Sequence, residues 1–421
     1  MYNGLSLDQA PPISAVMRFF LTVPLFGILL SLSIFFHPEA VLTPAHPISL
    51  AVIHMMVLGV ITMAMIGALF QMQSVLGGRP IPAASGNALI IHVFLTVGIL
   101  SLSGAFAFGA AAMFIVAAVF LGSSILYTAN LILPLLFGGV IHDTLRGMRL
   151  ALISLSLTAL FGIIMASSYA NSSFSTMHDA IRTSHYSLGL IGWIGTLIIA
   201  VAFQVIEMFY VTTPYNGWCK RNAFRIIAVS LFLKVVWLFF AFPFVWIFDL
   251  TLGALFTGFI ITTLKRLQLR KRRVSDVSIW FWYTGIALLY IAIMAYGTYE
   301  WGNYKPLLGI SLIAFILFAL SIILGMMGKI VPFLVWFHLS SNGIMDAPIM
   351  SNIIPQSRAK YLFSLFLLTT FSLLGGIFVL ELFVVGAIAA SAMFALLFFN
   401  LINAIKIYRF SLVHGLRFEQ I

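Results

Sequence analysis

The sequence predicts an all-α polytopic membrane protein with about twelve transmembrane helices. First, 62% of its 421 residues are hydrophobic and only 8% are charged, and the mean hydropathy is +1.12. Soluble domains do not have such values, whereas helical membrane proteins do. Second, apolar residues run on for about 20 positions instead of alternating, which is not the pattern of a β-barrel. Because hydrocarbon contains no water, each run must satisfy its own backbone as a helix.

Proline, glycine and charged residues divide the chain into the predicted spans. The divisions at Gly109 and Glu381 are the least marked. The tenth span is the longest, and Pro332 inside it either kinks the helix or has its backbone satisfied by neighbours. The N-terminal residues lack the basic region of a cleavable signal, so they form a short tail before the first span. The predicted spans are residues 14–36, 47–77, 86–107, 110–138, 148–170, 180–211, 223–248, 250–268, 278–298, 304–338, 360–382 and 384–408.

Basic residues fall in alternate loops of this arrangement. The intervening loops hold little beyond Arg182 and Lys305. The positive-inside rule therefore predicts that both termini lie in the cytoplasm. The net charge of +11 follows from this topology and from contact with anionic lipid, so no nucleic-acid partner is expected. The basic residues in the alternate loops are Arg79, Arg146, Arg149, Lys220, Arg221, Arg225, those of the run 265–273, Arg358 and Lys360, with Lys406, Arg409 and Arg417 after the last span.

Several kinds of site are excluded by the residues present. Cys219 is the single cysteine, which rules out an intramolecular disulfide and any cysteine-built zinc or iron–sulfur site. The sequence contains no nucleophile elbow, phosphate-binding loop or HExxH motif. Its short GxG fragments lie inside apolar helices, so a nucleotide-binding fold is excluded.

Spans 2 and 6 show a weak internal repeat. Span 2 reads HMMVLGVITMAMIGALFQMQ from His54, and span 6 reads HYSLGLIGWIGTLIIAVAFQVIEM from His185. Each has a histidine, then Leu-Gly, then Phe-Gln. Span 10 carries LGMMGKIVPFLVW at the corresponding end but has no histidine at its start. Because these spans are four apart, the single transmembrane domain is predicted to consist of three four-helix units, 14–138, 148–268 and 278–408.

His54 and His185 are the leading candidates for a functional site. An ionisable side chain in hydrocarbon is costly and marks a site by default. Both histidines enter from the predicted periplasmic side and lie roughly 8 Å below the interface at ~1.5 Å per residue. Two neutral imidazoles that face each other across a bundle are suited to hold a haem iron or part of a copper site. The alternative is that each one hydrogen-bonds a serine, a threonine or a carbonyl on a neighbouring helix.

Further donors surround the two histidines. His37, His46 and His178 lie near the outer ends of spans 2 and 6, where they either line the interface or contact a propionate or a copper ion. Met55 belongs to a sulfur-rich span 2, and thioethers suit Cu(I), although methionine also fills helix packing. The small residues Gly59, Ala64, Gly67 and Ala68 of span 2, and Gly189, Gly192 and Gly195 of span 6, allow close helix approach or make room for a macrocycle.

A second group of polar residues lies on the predicted cytoplasmic side. It contains Gln71, Gln204, Glu207 and Lys329. An ion pair between Glu207 and Lys329 would lower the cost of burying either charge, while Lys234 either snorkels or takes the role of Lys329. These residues either form a proton or ion path or cross-link the helices.

The arrangement resembles the catalytic subunit of haem–copper oxidases and its non-oxidase relatives of the NnrS type. The resemblance rests on twelve spans, both termini inside, and histidines near the outer ends of spans 2 and 6. In the oxidase family, the histidine of span 2 is an axial ligand of the low-spin haem, which by position is His54. The histidine of span 6 binds the copper, which by position is His185.

The departures from that family limit what the resemblance implies. Span 7 reads SLFLKVVWLFF where the family has adjacent histidines, and span 10 lacks the two histidines that bind the haem irons. Gly189 stands where a tyrosine is expected. The resemblance therefore implies a protein that binds one haem b, or copper, through His54 and His185 and does not reduce oxygen.

Three functions are consistent with these residues. The first is electron transfer, or the handling of nitric oxide or metal, with a small redox protein or a membrane subunit as partner. The second is a secondary transporter for a small solute or metal ion, in which Glu207 and Lys329 form an inner gate. The third is an accessory subunit in which the histidines only pack.

Overall fold

The computed structural model describes residues 9–137, 143–171, 176–271 and 276–416. The regular structure within these ranges is helical. Two short helical turns, Pro38–Leu42 and Met350–Ile353, join longer helices. The long helices are α1 Ile13–Phe36, α2 Pro47–Gly77, α3 Ala84–Phe108, α4 Ala111–Phe137, α5 Asp143–Ala170, α6 His178–Tyr210, α7 Gly217–Phe239, α8 Trp246–Gln268, α9 Val277–Gly302, α10 Lys305–Ser341, α11 Gln356–Gly375 and α12 Glu381–His414.

Eleven of these helices are long and apolar enough to cross a membrane. The exception among the long helices is α11, whose first turns carry Arg358 and Lys360 and which ends at Gly375. The predicted all-α polytopic membrane protein is therefore confirmed, whereas the twelfth span stays a prediction.

Two predicted spans end seven or more residues too late. Span 7 was expected at 223–248, but α7 ends at Phe239. The chain then turns through Pro243, with Ala241 and Phe244 at positive φ. Proline lacks the amide hydrogen that would continue the helix, although the apolar composition continues unbroken. Span 11 was expected at 360–382, but its helix ends seven residues earlier, at Gly375, the first glycine of a Gly-Gly pair.

Helices α2 and α6 each contain a π-helical segment of eight residues. The segments are Met55–Thr62 in α2 and Leu188–Gly195 in α6. The π-helix is rare and usually occurs as a single wide turn, often at a functional site. In both helices the Phe-Gln pair begins eight residues after the segment ends (62 to 70 and 195 to 203). The two helices therefore share a backbone feature as well as a sequence pattern.

The first of two compact units consists of Met1–Pro11, Ala68–Val274 and Leu289–Ser311. In this unit α3 packs on α4, α4 on α5, and α5 on α6, including its π segment. Helix α7 packs against α6 and α8. Glycine permits the closest approaches, since a Cβ built at Gly147 would lie 2.5 Å from the Cβ of Ala200.

The second unit consists of Pro12–Gly67, Ser275–Leu288 and Leu312–Ile421. In it α1 packs against α12 and against the π segment of α2, and α11 packs on α12. A Cβ built at Gly27 would overlap the ring of Phe394. The Ser321 hydroxyl donates to the Phe281 carbonyl at 2.7 Å and joins α10 to α9. Each of the two units is made of three separate segments of the chain, so their boundaries differ from those of the three predicted four-helix units. The four-helix units stay a prediction.

Candidate functional site

His54 is the last residue of α2 before its π segment. Its Nδ1 lies 2.7 Å from the carbonyl oxygen of Leu50, one turn earlier in the same helix. A carbonyl can only accept a hydrogen bond, so Nδ1 carries the proton and the lone pair of the neutral ring is on Nε2. The side chain is half-buried. His54 therefore has the tautomer of a histidine that binds a metal through Nε2.

His185 reaches the same tautomer through a different partner. Its Nδ1 lies 2.9 Å from the carbonyl oxygen of Thr158, on the neighbouring helix α5. Gly162 makes room for the ring, since a Cβ there would lie 3.1 Å from Cε1 of His185. The bond is the one that the packing alternative predicts. It is also the bond that orients metal-binding histidines, so it is compatible with both interpretations.

The two histidines belong to different units, His54 to the second and His185 to the first. Each is described by the contacts within its own unit. The prediction that the two rings face each other around one ion or porphyrin therefore stays a prediction.

The further donors have ordinary positions. The Nδ1 of His46 caps the N-terminus of α2 by accepting from the Ile48 amide at 3.2 Å. His37 lies 3.7 Å from the carboxylate of Glu39, and both side chains are exposed. His178 is the first residue of α6, and Met55 is a buried residue of the π segment. In the part of the chain that the structure describes, no group of three or more His, Cys, Asp or Glu side chains could hold a metal ion.

The glycines beside the histidines serve helix packing. A Cβ at Gly59 would lie 2.5 Å from the ring of Phe26, and a Cβ at Gly192 would lie 2.7 Å from the side chain of Ser154. Neighbouring side chains thus already fill the space beside these glycines. Of the two uses that the sequence allowed, close helix approach applies at these positions.

Glu207 holds a polar cluster together near the C-terminal end of α6, but not with the predicted partner. Its Oε1 lies 2.6 Å from Nζ of Lys220 and accepts from the Tyr215 amide at 2.7 Å. The Tyr215 hydroxyl shares a 2.9 Å hydrogen bond with Thr263, and the Arg266 guanidinium lies 4.1 Å from the centre of its ring. Burial raises the pKa of Tyr215. This cluster ties the α6–α7 loop to α8.

Lys329 also has a different partner, Asp276, which directly precedes α9. Each of the two residues is paired within its own unit, and these pairs replace the predicted Glu207–Lys329 pair. Lys234 pairs with Asp249 on α8, with Nζ 2.5 Å from Oδ1, and does not snorkel. Neither Asp249 nor Asp276 was among the predicted site residues. A lysine inside an apolar helix needs an acidic partner on a neighbouring segment of the fold. This rule would have pointed to both aspartates.

The two glutamines of the predicted polar path both belong to the first unit. Gln71 is 6% exposed, and neither atom of its amide has a hydrogen-bond partner among the described residues. Gln204 is half-buried. A buried amide without a protein partner is a position where water or a solute is expected.

The contacts of Glu207 predict different losses of stability for two substitutions of this residue. Glu207→Gln keeps an oxygen for the Tyr215 amide and loses the charge opposite Lys220, so it should cost about 1 kcal/mol. Glu207→Leu leaves the Tyr215 amide without an acceptor and should cost about 2–3 kcal/mol. Denaturation of the purified protein in detergent measures both. Glu39→Gln, at an exposed carboxylate, is the control, and equal losses for the two Glu207 variants would contradict this role.

Comparisons with known proteins add no family to this picture. No protein-family model matches the chain, and no curated protein sequence matches it either.

Proposed function

We propose that the chain is a bacterial inner-membrane protein of haem–copper-oxidase-like fold that binds one haem b, or copper, through Nε2 of His54 and His185. Its role is electron transfer, or the handling of nitric oxide or metal, without oxygen reduction. The topology proposed with it has twelve spans, three four-helix units and both termini in the cytoplasm. The basic residues in alternate loops support that orientation.

The observation that carries the proposal is the shared tautomer of the two histidines. In both, Nδ1 bonds a backbone carbonyl, at 2.7 Å for His54 and 2.9 Å for His185. This bond fixes the orientation of the ring and makes Nε2 more basic, which strengthens Nε2 as a ligand. Two histidines in separate helices that both present a basic Nε2 are the donor set that a bis-histidine haem requires.

The π segments support the same two positions. The π segment of α2 begins at Met55, directly after His54. The π segment of α6 begins at Leu188, three residues after His185. Wide turns of this kind are kept in helices mostly where a function needs them, because their hydrogen bonds are poorer than those of an α-helix. Both histidines therefore lie beside a backbone feature associated with function.

A bound haem would supply one-electron redox chemistry and an iron that can bind a diatomic gas. The residues of the chain would hold that group. The Leu50 and Thr158 carbonyls would keep the imidazoles oriented, and the buried side chain of Met55, next to His54 in the chain, would help to exclude water. Span 7 has no histidine to complete an oxidase centre, which supports a role without oxygen reduction.

The visible spectrum tests this proposal. We expect the purified protein to give a reduced-minus-oxidised difference spectrum with a Soret band, or to contain copper by mass spectrometry. His54→Ala and His185→Ala should each abolish or shift the band. His414→Ala is the matched control, since its Nδ1 lies 3.1 Å from the Phe410 carbonyl in the same one-turn arrangement, but it is not beside a π segment. A folded protein without colour, iron or copper would refute the proposal.

A second candidate function is a secondary transporter for a small solute or metal ion. The observation that favours it is the side-chain amide of Gln71, which lies in an apolar helix and has no hydrogen-bond partner among the described residues. Such a group is stable only with water or solute beside it. Uptake of a solute by vesicles that contain the metal-free protein would favour this function over haem binding.

A further inference from the structure

The second unit contains a small cavity that involves neither histidine and has several polar side chains in a largely apolar lining. It lies between α9, α10, α11 and α12 and has a volume of about 50 Å³. A water molecule needs about 10–15 Å³ by this measure, so the cavity has room for a few waters or one small ion. Its polar lining residues are Asp276, Ser278, Lys329, Gln356 and Asn400.

Two oxygen atoms at the cavity lack their ordinary donors. Asn400 is 1% exposed, and its Oδ1 has no hydrogen-bond partner among the described residues. The second oxygen is the carbonyl of Gly328, because Pro332 lies four residues later and has no amide hydrogen to donate. A Cβ built at Gly328 would meet no atom within 4 Å, so space is open beside this residue.

Among the described residues that line the cavity, Asp276 is the one that carries a negative charge. Its Oδ1 accepts from the amide and the hydroxyl of Ser278, at 3.0 and 2.7 Å. Its Oδ2 pairs with the ammonium of Lys329. Lys329 is 24% exposed, so its long flexible side chain has a route by which the ammonium can leave.

Asp276 pairs with the Lys329 ammonium, and Asn400 and Gly328 line the same cavity. A carboxylate, a side-chain amide oxygen and a backbone carbonyl are the ligands that hard cations prefer. An ion of charge +1 that replaces the Lys329 ammonium keeps Asp276 paired, and so avoids the cost of an isolated buried charge. A divalent ion would leave excess charge in the cavity.

We propose that this cavity binds a small monovalent cation, Na⁺ or K⁺, in exchange for the Lys329 ammonium. The cation contacts the Asp276 carboxylate, the Asn400 amide oxygen and the Gly328 carbonyl. The tethered ammonium lowers the apparent affinity, because every cation must displace it.

The test uses the purified full-length protein in detergent. Its melting temperature is measured as NaCl or KCl replaces choline chloride at constant ionic strength, since choline is too large for the cavity. Lys329→Gln removes the competing ammonium, so the cation concentration at half-maximal stabilisation should fall at least about tenfold. In Asp276→Asn/Lys329→Gln the response specific to Na⁺ and K⁺ should disappear. Lys305→Gln, at an exposed lysine of the same helix, should respond as the unchanged protein does.

A further variant leaves the ion pair intact. Asn400→Leu removes one oxygen ligand, so the half-maximal cation concentration should rise above that of the unchanged protein. An unchanged concentration in Asn400→Leu would overturn the proposal. It would also be overturned if Lys329→Gln responded to Na⁺ and K⁺ no more than to choline, or if the double variant responded as Lys329→Gln does. The outcome does not depend on haem or copper, because all measurements follow the cation alone.

Discussion

Replacing Asp249 with leucine is expected to lower the free energy of unfolding by about 3–5 kcal/mol. The substitution leaves the ammonium of Lys234, whose side chain is only 5% exposed, without its carboxylate partner. An unpaired charge in a poorly hydrated site costs far more than the pair itself contributes. Denaturant titration of the purified protein in detergent measures the loss.

Two controls make this prediction specific. The double variant Lys234→Met/Asp249→Leu removes both charges and should recover most of the stability, because apolar residues of similar volume replace buried pairs at little cost. Asp179→Ala breaks the exposed pair between Arg182 and Asp179, at 54% and 85% exposure, and should cost at most about 1 kcal/mol. A double variant as unstable as Asp249→Leu would show that packing, and not charge, is responsible.

Gly27→Ala is expected to destabilise the protein by about 3 kcal/mol, at the upper end of the usual cost of overpacking. The added Cβ would overlap the ring of Phe394, which is fully buried where α1 meets α12. Because the interior is close-packed, either the ring leaves its rotamer or the two helices separate. The same denaturant titration measures the effect.

Gly258→Ala is the matched control for that substitution. Gly258 also lies in an apolar helix, α8, but a Cβ there would meet no atom within 4 Å. Alanine should therefore keep or raise the stability, by about 0.5–1 kcal/mol, through its better helix propensity. Equal losses at Gly27 and Gly258 would mean that the contact with Phe394 is not the cause.

The apolar runs predicted the helices where a polar or charged loop separates two spans. They failed at α7, because its end at Phe239 lies inside the continuous apolar stretch WLFFAFPFVWIF. There the only local signal is Pro243, and composition alone cannot distinguish a turn at the membrane surface from more helix. The first residues of α8 were consequently assigned to span 7.

The sequence predicted which charged residues lie inside apolar helices, but not the residues with which they pair. Lys234 and Lys329 stood out because each interrupts an apolar helix. Their partners, Asp249 and Asp276, depend on which helices are neighbours and on how each helix is rotated. The hydropathy of a single segment predicts neither which helices are neighbours nor how each helix is rotated. The tautomer of His185 is likewise set by a carbonyl 27 residues away in sequence.

The wide turns in α2 and α6 change how side-chain directions follow from sequence. A residue in a π-helix turns the chain by a smaller angle than a residue in an α-helix. A helical wheel drawn through α2 at a constant 100° per residue therefore loses its phase across Met55–Thr62. It therefore gives a wrong angle between the residues before the segment and those after it. Deleting one residue of such a turn would rotate everything that follows it by a fraction of a turn, without changing composition or hydropathy.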